Sequence, residues 1–438
     1  MMEMTYEQAL LYLESTGKFG INLGLKRIEK MLELMGNPER CYNTVHITGT
    51  NGKGSTTAIT AAILQASGIK TGMYTSPHLI EYTERIVIDG HPITQQEFGR
   101  IVAYTKQFIE QMVTEGWEHP TEFEILTAAA FHCFAVAGVE YAVIEVGLGG
   151  LLDSTNVILP QVSVITNVTL EHTDRCGTTV TEIAGHKAGI IKSGIPVVTA
   201  AVGPALEVIR SRAAAENAPL FVMDSDFSGE RLAGENGLQQ VTVRTKLYGD
   251  NADLPLTLAG RHQAANCTVA VMAVKILARK DRRITDEAIA RGVAGAVWPG
   301  RFELFIGQPV IIIDGAHNAA GAQALRQTLD EVYSGRRITF VLGILQDKDI
   351  SGITNTLIRP DDEVITVAPL SVRAADPREL AAAITASRIE AASTVEGAIS
   401  KAADWAGQTG VICISGSLYL VGTARNIILS RQTTVPRV

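Results

Sequence analysis

The sequence has no Cys-x-x-Cys pair; its five cysteines (Cys41, Cys133, Cys176, Cys267 and Cys413) are scattered singly along the chain. That spacing excludes a zinc ribbon and a disulfide-stapled secreted scaffold, and it suits thiols used as core fillers in a reducing cytoplasm. Runs of lysine or arginine are also missing. With 38 basic against 46 acidic side chains the formal net charge is −8, which argues against a nucleic-acid surface and means that acidic substrates need locally positive groups. No apolar stretch is long enough for a membrane: the longest, Ile125 to Val139, is interrupted by His132. Met1 to Leu13 carries Glu3 and Glu7 and no basic segment ahead of an apolar run, so it does not read as a signal peptide. Short internal repeats and low-complexity tracts are absent too. The expectation is a cytoplasmic monomer that acts on small molecules, with neither nucleic acid nor membrane as a partner.

What is present is apolar and long. Hydrophobic residues make up 46% of 438 and charged residues 19%, a globular composition able to bury a large core. The length exceeds the ~250–300 residues at which one core stops growing, so two domains are expected. Trp298-Pro299-Gly300-Arg301 breaks the pattern, and domains are placed at 1–297 and 298–438.

The stretch Val45-His46-Ile47-Thr48-Gly49-Thr50-Asn51-Gly52-Lys53-Gly54-Ser55-Thr56 organises the first of them. Val45 and Ile47 alternate like a buried strand, three glycines and a lysine follow, and Ile59, Ala62, Ile63 and Ala66 then recur at helical spacing. Strand, glycine loop and helix in this order make a phosphate site. Glycine lets the backbone approach an anion, and the helix N-terminus adds about half a positive charge. Gly54 separates Lys53 from Ser55, so the regular P-loop pattern is missed by one residue. A plain glycine-rich turn is the alternative, and it leaves Lys53 unexplained.

Two helices are expected between Tyr6 and about Met35, with a loop at Gly17-Lys18-Phe19-Gly20. Strands follow at Gly72–Thr75, Arg85–Ile88, Tyr141–Val146, Val162–Asn167, Pro196–Thr199 and Leu220–Met223, alternating with helical patterns at Gln95–Glu115, Glu122–Ala137, Thr181–Ile191 and Pro204–Glu216. This alternation indicates a doubly wound, mostly parallel sheet. Ser228 to Leu258 is polar and helix-poor, a small antiparallel excursion, before a helix over Ala264–Ala278. The second domain repeats the alternation with strands at Val310–Ile313, Ile338–Leu342, Val364–Val367 and Val411–Ser415. A smaller, Rossmann-like α/β domain is expected there.

Open parallel sheets bind ligands beyond the carboxyl ends of their strands. Glu145 ends an apolar strand, where nucleotide-hydrolysing folds keep a Mg²⁺-holding carboxylate; a structural salt bridge is the competing reading. His172 follows a strand end and reads more readily as structural than as a ligand. Lys187, on a helix, reads from sequence alone as a solvated lysine. In the second domain Asp314-Gly315-Ala316-His317-Asn318 follows a strand and suits ribose or substrate contacts or, equally, a helix cap; Ser415-Gly416-Ser417 follows another.

These pieces together resemble the folylpolyglutamate synthase and dihydrofolate synthase branch of the Mur ligase superfamily. The matching motifs are Gly49–Ser55, Thr75-Ser76-Pro77-His78-Leu79, Glu84-Arg85-Ile86, Val146–Gly150 with Asp153-Ser154-Thr155-Asn156, Lys187-Ala188-Gly189-Ile190, Gly260-Arg261-His262-Gln263 with Asn266, Pro299-Gly300-Arg301, Asp314–Asn318 and Ser417-Leu418-Tyr419. They fall in family order. The resemblance implies an ATP-dependent amide ligase that joins L-glutamate to dihydropteroate or to folate polyglutamates through an acyl phosphate. It implies ATP binding by Thr50, Asn51, Gly52, Lys53, Gly54, Ser55, Thr56, Asn266, Arg301 and Asp314, with Arg301 reaching from the domain junction. Ser76, Glu145, His172 and a carbamylated Lys187 would hold magnesium, two ions being expected, with allowance for a monovalent cation. Lys53, Lys187 and His317 would be catalytic, and Thr121, Phe123, Asp153, His317 and Ser417 would contact substrate. Leu151, Glu171, His186 and Ala319 depart from the residues the family often has there. A UDP-muropeptide ligase and an ATP-binding regulatory module are the alternatives.

Overall fold

The computed structural model describes residues 3–17, 20, 22–173, 175–234 and 238–432. Lys18 and Phe19 of the expected first loop lie outside the described residues. The chain divides into two compact units. The first is Met1–Leu232, Gln240–Leu256 and Gln263–Ala296; the second is Ala233–Gln239, Thr257–His262 and Val297–Val438. The path therefore enters the second unit twice before settling in it.

The first unit holds an eight-stranded sheet made of β1 (Asn43–Thr48), β2 (Thr71–Tyr74), β3 (Ile86–Ile88), β4 (His91–Pro92), β5 (Tyr141–Glu145), β6 (Val162–Ile165), β7 (Val197–Thr199) and β8 (Leu220–Val222), in the order β4-β3-β2-β5-β1-β6-β7-β8. β1 is interior, parallel to β5 on one side and to β6 on the other. Pairing is parallel from β2 through β8, and only the edge pairs β2–β3 and β3–β4 are antiparallel. The parallel strands are buried on both faces; β5 is close to a continuous apolar run, whereas β1 alternates Val45 and Ile47 with the buried polar residues Thr44, His46 and Thr48.

Among the described residues nine helices accompany them: α1 (Tyr6–Thr16), α2 (Lys26–Leu34), α3 (Lys53–Ala66), α4 (Gln95–Thr114), α5 (Glu122–Ala137), α6 (Val180–Ala188), α7 (Gly203–Ala215), α8 (Arg261–Ala278) and α9 (Asp286–Gly295). Thr94, Thr121 and Thr179 start α4, α5 and α6 with reciprocal capping boxes, each such cap contributing about 1 kcal/mol. One apolar core gathers Leu13, Ile28, Phe98, Phe131, Phe134 and Ile144, and a separate one gathers Ile165, Ile183, Ile191 and Ile209.

The polar segment forms a three-stranded sheet of β9 (Phe227–Ala233), β10 (Gln239–Thr245) and β11 (Asn251–Leu256), ordered β11-β10-β9. Its connections are too short for parallel crossovers, so the excursion is built of hairpins. The second unit has a six-stranded sheet, β12 (Glu303–Phe305), β13 (Val310–Ile313), β14 (Ile338–Leu342), β15 (Glu363–Thr366), β16 (Arg388–Ala391) and β17 (Val411–Ser415), ordered β12-β13-β17-β14-β15-β16. Only β12 is antiparallel to its neighbour. With it go α10 (Ala319–Val332), α11 (Ile350–Leu357), α12 (Pro377–Ala382), α13 (Val395–Ala406) and α14 (Leu418–Gln432). The edge strands β12 and β16 and helices α9, α11 and α14 go beyond the sequence reading. The strands are three and four residues long, too short to show a period.

Among the described residues no helix is long and apolar enough to cross a membrane. All five cysteines are free, and Cys133, Cys176, Cys267 and Cys413 are buried as core fillers; Cys41 is exposed, contrary to expectation, in the turn ahead of β1.

Candidate active site

The glycine loop between β1 and α3 is shaped by close approach. Gly52 caps α3 at φ +86°, and a Cβ there would lie 2.2 Å from Asn266 Oδ1. On Gly49, at φ +154°, a Cβ would lie 1.8 Å from Thr166 Oγ1. The end of β6 braces the loop: Asn51 N–H donates to Asn167 Oδ1 at 2.9 Å, while Thr166 Oγ1 and Asn167 Nδ2 donate to the Asn51 carbonyl at 2.7 and 3.0 Å. Thr48 Oγ1 donates to the Gly149 carbonyl at 2.6 Å, tying the loop's other side to the turn after β5.

Lys53 Nζ folds back over the loop, donating to the Gly49 and Thr50 carbonyls, both at 3.0 Å. The first-turn N–H groups of α3, on Lys53, Gly54 and Ser55, have no intrahelical acceptor, and the buried Thr56 hydroxyl has no partner. Donors, a lysine and a helix N-terminus thus face one place, which is the requirement for phosphate. Ser55 is itself buried within α3.

Lys187, near the end of α6, is 4% exposed, not a solvated lysine. Its Nζ donates to the same Gly49 carbonyl at 2.7 Å. Burial, reinforced by the nearby Lys53 charge and opposed by Glu171 and Cys176, brings the amine down to about 7. At neutral pH a large fraction is uncharged and nucleophilic. Helix periodicity cannot signal this, because the carbonyl that Nζ meets is 138 positions away in the chain.

Glu145, buried at the end of β5, accepts from Ser76 N–H at 3.4 Å, so two of the expected metal ligands meet. His172 sits beyond β6 with φ +52°, a left-handed conformation costly for a side-chain-bearing residue and enriched at functional sites. Its carbonyl accepts from Cys176 N–H at 2.9 Å, and the Cys176 thiol lies against Gly149. The donor set fits a hard cation: a serine hydroxyl, a carboxylate, an imidazole and an amine that turns into an oxygen ligand on carbamylation. Among the described residues no group of three or more His, Cys, Asp or Glu could hold a metal.

Beside these groups, the Phe123 ring stacks at 6.2 Å on Tyr74 and packs on Gly147, where a Cβ would be 2.5 Å from it. Thr121 is engaged locally as the cap of α5, its hydroxyl donating to Glu124 Oε2 at 2.8 Å. Asp153 is also turned inward. It is 3% exposed, and its carboxylate accepts from Leu148 N–H at 2.8 Å and from Thr155.

In the second unit the carboxyl ends of β13 and β17 carry the expected residues. Asp314 is buried and accepts from the N–H groups of Phe302 (2.8 Å) and Ala316 (2.9 Å). His317 Nδ1 lies 2.8 Å from the Gly315 carbonyl and therefore carries a hydrogen. Gly315 makes room for Arg301, whose Nη1 a Cβ would approach to 2.0 Å. Ser417 is buried and its Oγ accepts from Leu420 N–H at 3.1 Å, capping α14. Sequence reasoning assigned no role to Thr48, Thr166 or Asn167, although the last two stand at a strand's carboxyl end.

This combination of sheet, glycine loop and second α/β unit matches two family models, the Mur ligase middle domain over residues 47–274 and the Mur ligase glutamate ligase domain over residues 300–418. The class is therefore that of the Mur-type ligases. Within it, the chain is 36% identical over 433 residues, 97% of this chain and 99% of the relative, to a Bacillus subtilis protein described as dihydrofolate synthase/folylpolyglutamate synthase. A Mycobacterium tuberculosis folylpolyglutamate synthase solved with ADP and AMPPCP superposes with TM-score 0.89 at 34% identity, covering 96% of this chain and 98% of that one. An Escherichia coli FolC structure in complex with DHPP and ADP gives TM-score 0.86 at 27% identity, with 98% of each chain covered. The chain belongs to the dihydrofolate synthase/folylpolyglutamate synthase family of Mur ligases.

Proposed function

We propose that this chain is an ATP-dependent amide ligase that joins L-glutamate to dihydropteroate, to reduced folates, or to both. The observation that carries the reading is the convergence of Lys53 and the buried Lys187 on the Gly49 carbonyl beside the α3 N-terminus. Lys53 and the α3 N-terminus bring positive charge and N–H donors where a triphosphate needs them, and Lys187 is held against the same loop. In the proposed reaction an acceptor carboxylate oxygen attacks the γ-phosphorus of ATP, the bond to the β-phosphate oxygen breaks, and ADP leaves. The amino nitrogen of glutamate then attacks the acyl phosphate, the C–N bond forms as the C–O bond to phosphate breaks, and the amine proton is released.

Lys53 swings from its loop carbonyls to the transferring phosphoryl group, and the N–H groups of residues 53–55 neutralise the charge that develops on it. Ser76, Glu145, His172 and carbamylated Lys187 are the residues that would hold magnesium, which supplies charge neutralisation on the phosphate oxygens. Phe123 and Gly147 line the acceptor side; Thr121 and Asp153 shape it from behind. Asn266, Arg301 and Asp314 are assigned to ATP, and His317 and Ser417 to glutamate, as the family motifs imply.

The test is to incubate the purified protein with ATP, Mg²⁺, radiolabelled L-glutamate and either dihydropteroate or a tetrahydrofolate. A labelled adduct with one or both acceptors is expected, and the pair of acceptors separates the two synthase activities. Folded protein that labels neither overturns the reading.

A further inference from the structure

His46 lies in the middle of β1, the strand that feeds the glycine loop, and is completely buried. Its Nε2 is 2.9 Å from Thr155 Oγ1, and Thr155 Oγ1 donates to Asp153 Oδ1. A hydroxyl has one hydrogen to give. As Thr155 gives its own to the carboxylate, the imidazole must donate, so Nε2 bears the hydrogen. His46 Nδ1 is then a bare acceptor, and it is buried without a hydrogen-bond partner. Burial first, then the Lys192 charge, pushes the ring down to about 3, which keeps it neutral.

Asp153 passes the connection on. Oδ1 also accepts Thr155 N–H at 3.0 Å and Oδ2 accepts Leu148 N–H at 2.8 Å; burial raises the Asp153 carboxyl and these hydrogen bonds oppose it by favouring the ionised form. Gly147 and Leu148 form the turn just after Glu145, and Phe123 packs on Gly147. A buried hydrogen-bonded chain thus runs from the strand under the phosphate loop to the turn that seats the aromatic wall.

We propose that His46 and Thr155 are positioning residues for the acceptor side of the site: through Asp153 they fix the Gly147–Leu148 turn and the Phe123 ring on it, and so govern affinity for the aromatic acceptor and not for ATP. This rests on the ligase reading. Neither residue touches substrate; both act through Asp153.

The experiment compares wild type with Thr155→Val, Thr155→Ser, His46→Leu and His46→Gln, measuring kcat and the KM for each substrate. The wild-type His46 ring is examined in parallel by nitrogen NMR. Thr155→Val and His46→Leu are expected to raise acceptor KM about tenfold, the size of one lost buried hydrogen bond, with ATP KM within about twofold. Thr155→Ser and His46→Gln keep the donors and should restore acceptor KM to within about threefold. The double variant should be no worse than the poorer single one, as both cut the same chain. The spectrum should show a neutral ring protonated on Nε2 throughout about pH 5 to 8.

Equal rises in both KM values, or an unchanged acceptor KM in folded Thr155→Val, overturn the proposal. So does a ring that is charged or protonated on Nδ1, a result that decides the matter even if the apolar variants do not fold. A wild type that ligates glutamate to neither acceptor sinks the ligase reading and this proposal's kinetic half with it, while the ring spectrum still reports whether the hydrogen-bonded chain exists.

Discussion

Lys187 and His46 show what a single side chain acquires from burial. Lys187 is drawn to about 7 by desolvation and by Lys53, so at neutral pH it is an amine able to add carbon dioxide, and its carbamate would be an anionic oxygen ligand. Lys187→Ala should lower ligation by at least about a hundredfold, with added short-chain carboxylates restoring part of it, as steady-state assays would read. Unchanged turnover would count against the carbamate. For His46 the sign is that of a depressed base. Its folded pKa is about 3 against the ordinary 6.5, so the unfolded chain binds the extra proton between those values. The stability it contributes is complete above about pH 6.5 and is lost toward pH 3, at ~1.4 kcal/mol per pH unit. His46→Gln should flatten denaturant-derived stability against pH by that slope; an unaltered slope would refute the burial argument. Neither property was legible in the sequence. Lys187 reads as any helical lysine and His46 as a polar interruption of a strand, because what changes them is residues far away in the chain.

At the scale of elements, the sequence was most informative where backbone geometry demands one residue type. Gly49 and Gly52 were legible as a phosphate loop because glycine is the residue that combines positive φ with side chains at 1.8 and 2.2 Å from where a Cβ would be. Gly52→Ala should displace Asn266 or the loop and weaken ATP binding by more than about tenfold in calorimetric titration, with the acceptor pocket intact. Parallel strands such as β5, β13 and β17 were legible too, since burial on both faces makes them short, mostly apolar runs. What escaped was short or used polar residues as struts: β12, β16, and the Thr166–Asn167 pair that braces Asn51. Thr121, Asp153 and Ser417 were read as substrate contacts, and each also serves as a cap or a turn brace; their motif positions were legible, their hydrogen-bond partners were not.

For the whole molecule, the two units differ from two consecutive segments of sequence. Thr257–His262 belongs to the second unit, and Ala259 packs in that unit's core with Ile312, Leu325 and Phe340. A fragment ending at Ala296 would leave Ala259 and its neighbours without that core. Its midpoint for thermal unfolding should fall below that of the full chain and its binding of a hydrophobic dye should rise, each measurable on purified fragments. A fragment as stable and as dye-free as the intact chain would show that these excursions contribute nothing. Sequence could not reveal the excursions, as composition changes at Pro299 and not at Thr257.

The strand order of the second sheet has a consequence for synthesis. β17 is the last strand to be made, yet it lies in the interior, between β13 and β14. While the ribosome is still upstream of Val411, the nascent second unit is two half-sheets with a gap, and it closes only when the final strand inserts. A chain terminated early therefore lacks both the keystone of the sheet and Ser417 just beyond it, and its second unit is left with an exposed, unfinished apolar core.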